Sequence, residues 1–297
     1  MKVLVTGKNG QLGKSIHKIV TNNEQNSEFV FVGKEALDLS SQDSIINYFN
    51  SNSFDVIINC AAYTEVDKAE KEIELANYIN HIAIGKIAEI SNNHKVKLIH
   101  ISTDFIFDGV SEKAYLESDN PNPLSIYGKS KLAGEVAVCA AMKKNAIIIR
   151  TSWLYSEYSN NFVNTIIRKS QKIGELNVVS DQYSSPTNAN DLAKVIIQII
   201  NHNKFRNHDQ LTQIYHYSGH GVCSWFEFAR EILDLANIDC QVNPIEAKDY
   251  LTDAKRPKYS FLNTDKIAKD FDLEIPFWKD SLKVSIDNLL EINKPVS

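Results

Sequence analysis

Cysteine is scarce in this chain. The four residues, Cys60, Cys139, Cys223 and Cys240, are far apart and form no CxxC pair, which argues against a disulfide scaffold or a redox dithiol. They read as buried free thiols in a reducing compartment. The eight histidines show no HExxH or similar ligand spacing, and no metal is expected. Long apolar runs are also missing. The longest candidate, around Ala146 to Ile149, is strand length, well short of the roughly 18–20 residues that span a bilayer. Excess positive charge is absent too: the net charge of −5 argues against a dedicated binder of nucleic acid or anionic membrane. The first residues, Lys2-Val3-Leu4-Val5-Thr6-Gly7, read directly as a buried strand and turn, so no signal peptide is expected and the cytoplasm is the expected location.

What is present is an alternation. Val3–Val5, Phe29–Val32, Val56–Asn59, Lys97–Ile101 and Ile147–Arg150 read as strands. Gly13–Asn22, Asp43–Asn50, Ile73–Asn92 and Tyr127–Met142 read as the helices between them. Strands separated by helices predict a parallel sheet covered on both faces, and the right-handed crossover makes it an α/β doubly wound parallel sheet. The later chain is less regular. Asn161–Ile173, Asn190–Asn201, Trp225–Asn237 and the Trp278–Glu291 region look helical, and Ile214–Tyr217 looks like one more strand. The expected division is a dinucleotide-binding domain over 1–155, rejoined by 186–219, and a smaller α/β substrate domain over 156–297, interleaved with it.

Glycine is sparse, yet three of the 11 fall in Gly7-Lys8-Asn9-Gly10-Gln11-Leu12-Gly13, directly after the first strand. The first glycine permits the tight turn, the middle one lets backbone approach a pyrophosphate, and the last lets the helix pack on the sheet. The amides of Gly10, Gln11 and Leu12 then face the anion at a helix N-terminus. Such a trio alone also fits a plain strand-to-helix turn. The acid that receives an NAD ribose is expected about 20 residues on. There stands Gly33-Lys34-Glu35, with Glu35 one or two positions late. Lys8 and Lys34 can neutralise a 2′-phosphate or simply stand solvated, so the reading leans to NADPH with NADH open. Asp38-Leu39 is a second candidate, placed to meet the adenine.

Ser102-Thr103-Asp104 ends the fourth strand, and Tyr127-Gly128-Lys129-Ser130-Lys131 opens the following helix. Tyr127 and Lys131 are four apart and share a helix face. Ligands of open α/β sheets sit at the carboxyl ends of strands, which brings Thr103, Tyr127 and Lys131 to the cofactor cleft. Reducing a ketone delivers hydride to carbon and a proton to oxygen. Tyr127 can give the proton, Lys131 can lower its pKa and hold the nicotinamide ribose, and the Thr103 hydroxyl can bond the developing alkoxide.

On these residues the chain resembles the dTDP-4-dehydrorhamnose reductase family of the extended short-chain dehydrogenase/reductase superfamily, whose nucleotide domain is a Rossmann fold. The resemblance covers essentially the whole chain. It rests on GKNGQLG at 7–13, CAAYTEVDKAE at 60–70, ISTDFIFDG at 101–109, NPLSIYGKSKLAGE at 122–135, RTSWLY at 150–155, SDQYSSPT at 180–187 and RPKYSFLNT at 256–264. It implies reduction by NADPH or NADH of the C4 keto group of dTDP-4-dehydro-6-deoxy-L-mannose to dTDP-L-rhamnose, a sugar that feeds surface polysaccharide. Tyr127, Lys131 and Thr103 match the family's catalytic residues. Asp104 and Trp153 match positions that contact the sugar. Ala61, Ala62, Tyr63 and Thr64 match a cofactor-contacting stretch. Arg256 is implied as a contact to the substrate's pyrophosphate.

Three positions depart from the family pattern. Some members form a dimer through a metal held by glutamates; here Ser15 and Asn190 stand at those positions, so a homodimer stays open and a metal bridge is not expected. The usual tyrosine after Thr-Asp is Phe105, and the usual glycine before the Pro-Thr pair is Ser184. A 4,6-dehydratase would need a glutamate where Phe105 stands. A 4-epimerase is disfavoured by the motifs of the C-terminal part, and a non-catalytic sugar-nucleotide-binding subunit by the intact Tyr127, Lys131 and Thr103.

Overall fold

The computed structural model of the chain describes residues 1–22, 27–206 and 210–292. Six strands form one wholly parallel sheet. They are β1 (Lys2–Thr6), β2 (Glu28–Val32), β3 (Val56–Asn59), β4 (Lys97–Thr103), β5 (Ala146–Thr151) and the later strand Gln213–His216. From one edge the order is β2-β1-β3-β4-β5 and then Gln213–His216. The expected five strands and the Ile214–Tyr217 strand are all present, displaced by a residue or so at their ends.

Alternation within each strand divides the core in two, because successive side chains point to opposite faces. Val3, Val5, Val56, Ile58, Ile99, Ile147 and Ile149 meet Leu12 and Ile16 of α1 (Gln11–Asn22) on one side. Leu4, Ile57, Leu98 and Ile148 meet Ile45 of α2 (Gln42–Ser51), Ile84, Ile87 and Val138 on the other. Register follows: Val3 lies opposite both Phe29 and Val56, and Ile99 opposite Ile147. Because β1 passes to β2 on one side and β3 starts on the other, the order reverses between β1 and β3, and the crevice for a ligand opens at their carboxyl ends.

The helix expected over Ile73–Asn92 is present but not uniform. It runs as Ile73–Asn77, a π turn at Tyr78–Ile82, and Ala83–Asn93. Beyond β5 the chain makes three two-stranded pairs: Leu154–Tyr155 with Thr187–Asn188, Glu175–Val179 with Gln241–Ile245, and Tyr183–Ser184 with Cys223–Ser224. These pack with helices Phe162–Ser170, Trp225–Ala236 and Trp278–Ile292 around Tyr155, Val163, Leu176, Phe228, Trp278 and Leu282. Helix Trp225–Ala236 carries a full capping box of Ser224 and Glu227 and ends on Asn237 in the left-handed conformation. Leu192, Ile196 and Ile200 of helix Ala189–Asn201 lie in the core of the large sheet. So do Ile267 and Phe271 of helix Asp265–Phe271, a return of the chain that the sequence did not announce. All four cysteines are free; Cys223 is buried and the others partly so. Among the described residues no helix is long and apolar enough to cross a membrane.

Candidate active site

The glycine loop sits in the crevice between β1 and β3. Gly7 has φ of +70°, and a Cβ on it would lie 2.9 Å from the Ala61 nitrogen, so only glycine lets the loop rest on the Ala61–Thr64 backbone. The side chain of Thr6 fixes this contact: its hydroxyl donates to Asn59 Oδ1 at 2.7 Å and accepts from the Ala61 amide at 3.3 Å. The Gly10 amide donates to the Gly7 carbonyl at 2.9 Å and is therefore turned into the loop. The amides of Gln11, Leu12 and Gly13, in the first turn of α1, have no partner within the helix and remain as donors to an anion. The side chain of Gln11 points elsewhere. It donates to the Leu154 carbonyl and accepts from Ser156 and Asn161, tying the glycine loop to the segment after Trp153.

Along the Ala61–Thr64 stretch, Tyr63 turns its phenol away to donate to Glu72 at 2.9 Å. Its backbone is held at both N–H and C=O by Asn80, which also donates to the Ser130 hydroxyl at 3.0 Å. Asn80 lies in the π turn, and such bulges are frequent at functional sites. Through it, the loop after β3 is tied to the helix that carries Tyr127 and Lys131. Ala61 and Ala62 are half-buried and Thr64 is exposed.

That helix, Ile126–Ala141, is N-capped by Ser125, whose hydroxyl accepts from the Gly128 amide at 3.1 Å. Its entry brings Tyr127 against the end of β4. The Tyr127 phenol lies beside the Thr103 side chain, which favours its ionised form. Thr103 donates to Asp104 Oδ1 at 3.2 Å, and Ser260 donates to Asp104 Oδ2 at 2.5 Å. Thr103, Asp104 and Ser260 thus form a string with the Tyr127 phenol at its Thr103 end, closed on one side by the Phe105 ring, which packs edge-on against Tyr127 at 5.6 Å. Burial pushes the Tyr127 phenol up to about 12; the neighbouring Thr103 side chain pulls the other way and the Asp104 charge adds to the rise. Burial likewise raises Asp104 to about 7, against the pull of its bonds to Ser260 and Thr103.

Lys131 is 1% exposed. Its ammonium donates to the Ile101 carbonyl at 2.6 Å and lies 3.4 Å from His100 Nε2. Burial lowers it to about 8, with Glu135 opposing. Thus the ammonium faces β4 rather than the phenol. The sequence placed Lys131 on the helix face of Tyr127, and here its ammonium is held by the strand. His100 in turn meets Asn59 at 3.0 Å, so buried polar contacts run from Thr6 to Lys131 under the crevice.

One turn further on, Glu135 is 2% exposed and accepts from Arg150 Nε and Nη2 at 3.0 and 2.7 Å. Ser102 donates to the same carboxylate at 2.5 Å. Arg150 also reaches His216 Nε2 at 3.3 Å, and its guanidinium lies over the Phe107 ring.

The remaining candidates are more dispersed. Trp153 has a φ of +45°, an unusual conformation for a bulky residue, and its ring stacks on Trp225 with centroids 3.4 Å apart. Arg256 makes a forked pair with Asp67, with contacts of 3.1 and 2.6 Å. The implied phosphate contact therefore has an internal carboxylate on it. Lys71 and Asp253 pair beside it at 2.6 Å, so two ion pairs fasten the 253–256 loop to the turn after Thr64. Asp38 accepts from the Ser40 amide and hydroxyl at 2.9 and 2.6 Å and shapes its own turn, while Leu39 is buried. Lys8 pairs with Glu35, and Lys34 lies 3.8 Å from Asp38.

Sequence reasoning missed Asn80, His100, Glu135, Arg150 and Ser260 as members of this site. Ser260 and Glu135 lie inside recognised motifs, but neither spacing nor residue type says what they face. Asn80 had no signal, because a π turn leaves no pattern that spacing can find.

Comparison with known proteins identifies the family. The family described as RmlD substrate binding domain matches residues 1–291. A dTDP-4-dehydrorhamnose reductase of Aggregatibacter actinomycetemcomitans is 38% identical over 290 residues, covering 95% of this chain and 97% of that protein. The crystal structure of a dTDP-4-dehydrorhamnose reductase from Clostridium acetobutylicum superposes with a TM-score of 0.90 at 38% identity, covering 98% of this chain and 100% of the other. That of a Bacillus anthracis dTDP-4-dehydrorhamnose reductase in complex with NADP also gives 0.90 at 38% identity, covering 97% and 99%.

Proposed function

Because the chain belongs to the dTDP-4-dehydrorhamnose reductase family of extended short-chain dehydrogenase/reductases, we propose that it reduces the C4 keto group of dTDP-4-dehydro-6-deoxy-L-mannose to dTDP-L-rhamnose with NADPH or NADH. The observation that carries this reading is the placement of the Tyr127 phenol beside Thr103 and Phe105 at the carboxyl end of β4. It sets a proton donor and a second hydroxyl at one point beside the glycine crevice.

The crevice fits a dinucleotide. Gly7 and Gly10 admit close backbone approach, and the first-turn amides of Gln11, Leu12 and Gly13 face outward for a diphosphate. Ala61, Ala62, Tyr63 and Thr64 line the far side through their backbone, and Asp38 and Leu39 flank the adenine end. The nicotinamide, when bound, supplies the hydride. Tyr127 gives its proton to the ketone oxygen, and a phenol raised to about 12 keeps that proton until the oxygen becomes alkoxide-like. Thr103, turning its hydroxyl proton from Asp104, donates to the same oxygen as charge develops on it. Lys131 holds the nicotinamide ribose and steadies the phenolate that the transfer leaves. Asp104, Trp153 and Arg256 contact the sugar nucleotide, Arg256 by exchanging Asp67 for a phosphate.

Residues 1–155 with 186–219 form the nucleotide-binding part, and 156–297 mainly the sugar-nucleotide part; residues 23–26, 207–209 and 293–297 of these lie outside the described residues. The packing of helix Ala189–Asn201 in the sheet core supports this interleaving. We place the enzyme in the cytoplasm, acting on a small molecule rather than on nucleic acid or membrane. A cation shared between copies does not fit here: Ser15 brings no carboxylate, and the Asn190 amide already donates to Glu157 at 2.9 Å. A homodimer, if formed, is formed without it.

The test is loss of reduced-nicotinamide absorbance when the purified protein meets NADPH or NADH with dTDP-4-keto-6-deoxyglucose and its 3,5-epimerase. Oxidation that requires both sugar and epimerase is the expected result. Cofactor binding without oxidation would replace the rhamnose reading by another nucleotide-linked 4-keto-6-deoxysugar. That second reading is favoured by Phe105, which removes a hydroxyl beside Tyr127.

A further inference from the structure

The nucleotide crossover normally places an acid at the end of β2 to receive the adenosine ribose 2′-hydroxyl. Here β2 ends at Val32, and the next residue, Gly33, has no side chain to offer. Its missing side chain leaves room. The Ala36 and Leu37 amides both return to the Gly33 carbonyl, at 3.1 and 3.0 Å, and this tight turn carries Glu35 back over the strand end. A Cβ on Gly33 would collide with Glu35 Oε2 and would lie 3.1 Å from Asn9 Nδ2. The carboxylate therefore occupies the place of the absent side chain, against the glycine loop. It pairs with the Lys8 ammonium, which holds the carboxyl below the usual range.

The other candidates near this point are committed elsewhere. Asp38 is held by Ser40, and Lys34, 77% exposed, turns toward Asp38. From this arrangement the structure assigns to Glu35 the selection between the two nicotinamide cofactors, with Lys8 as its counterpart: NADH is bound tighter and NADPH is tolerated. This rests on the cofactor reading above and reverses the preference for NADPH that Lys8 and Lys34 suggest in sequence.

The physical reasons are two. An ionised carboxylate at the strand end accepts a hydrogen bond from a ribose 2′-hydroxyl, and it repels a 2′-phosphate. Its pair with Lys8 is solvent-facing, with side chains 38% and 56% exposed, and pairs of this kind are weak. A 2′-phosphate can therefore displace the carboxylate and take Lys8, which is why NADPH is disfavoured rather than excluded.

The test is direct titration of the full-length protein with NADH and with NADPH, without sugar, following nucleotide fluorescence. Glu35→Gln should tighten NADPH and weaken NADH, moving the ratio of dissociation constants by about tenfold or more, as expected for loss of one charge-assisted hydrogen bond and one repulsion. Lys8→Met should weaken NADPH several-fold and leave NADH nearly unchanged. Glu35 is largely exposed, so unfolding is not expected, and circular dichroism checks it. An unchanged ratio in Glu35→Gln, with both nucleotides still bound, overturns the role of Glu35 and leaves the reductase reading standing. Failure of the wild-type protein to bind either nucleotide overturns both.

Discussion

Tyr127, Lys131 and Glu135 form one stripe of a single helix, and its two ends have opposite character. At the open end, Tyr127 and Asp104 hold their protons abnormally tightly because burial outweighs the pull of their neighbours. At the closed end, Glu135 and Arg150 are just as buried, yet their side chains are matched to each other and to Ser102 and His216. Adjacent strand residues, Thr103 and Ser102, serve the two ends. The difference teaches what separates a reactive cluster from a structural one: not residue type or burial, but whether each charge already has its partner.

The largest expected effect separates the ends by function. Tyr127→Phe should lower kcat by about 10²–10⁴-fold, the usual scale for a lost general acid, with cofactor affinity and thermal stability essentially unchanged. Wild-type turnover in this variant would dissolve the distinction. At the other end the loss should be in stability. Glu135→Ala strands Arg150 and should cost about 3–5 kcal/mol in denaturant unfolding. Replacing both partners with Leu and Met should recover much of it, since both charges leave the core together. A mild single-variant effect would mean that the closed end is not a matched pair.

The smallest effect sharpens the contrast through pH. Folded Asp104 titrates near 7, whereas the unfolded chain releases this proton near the ordinary carboxylate value of about 4. Between these values the folded state binds more protons, so stability falls as pH rises from about 4 to about 7. Asp104→Asn removes that fall. Its melting temperature should exceed that of the wild type more at pH 8 than at pH 5, by about 2–4 °C for each kcal/mol relieved. Equal differences at both pH values would show that Asp104 is not held protonated.

Much of this was legible in the residues. Strand and helix periods gave the parallel sheet, because period-2 and period-3.6 patterns are local. The glycine loop and the Tyr127–Lys131 spacing were legible for the same reason. Direction was not. Spacing put Lys131 on the face of Tyr127, but the ammonium goes to Ile101 and His100, which come from a different strand. Arg256 was read as a phosphate ligand, and the fold presents it already paired with Asp67, nearly two hundred residues away in sequence.

By itself, then, the sequence determined the fold class, the glycine-lined crevice and the shared helix face of Tyr127 and Lys131, all of which depend on residues within a few positions of each other. Only the tertiary structure decided which buried charges are paired and which are poised. It also returned helix Asp265–Phe271 to the sheet core and brought Ser260 to Asp104. The physical reason is range: periodicity and turn chemistry act over a few residues, whereas the burial and partners that set a side chain's charge come from whatever distant segment packs against it.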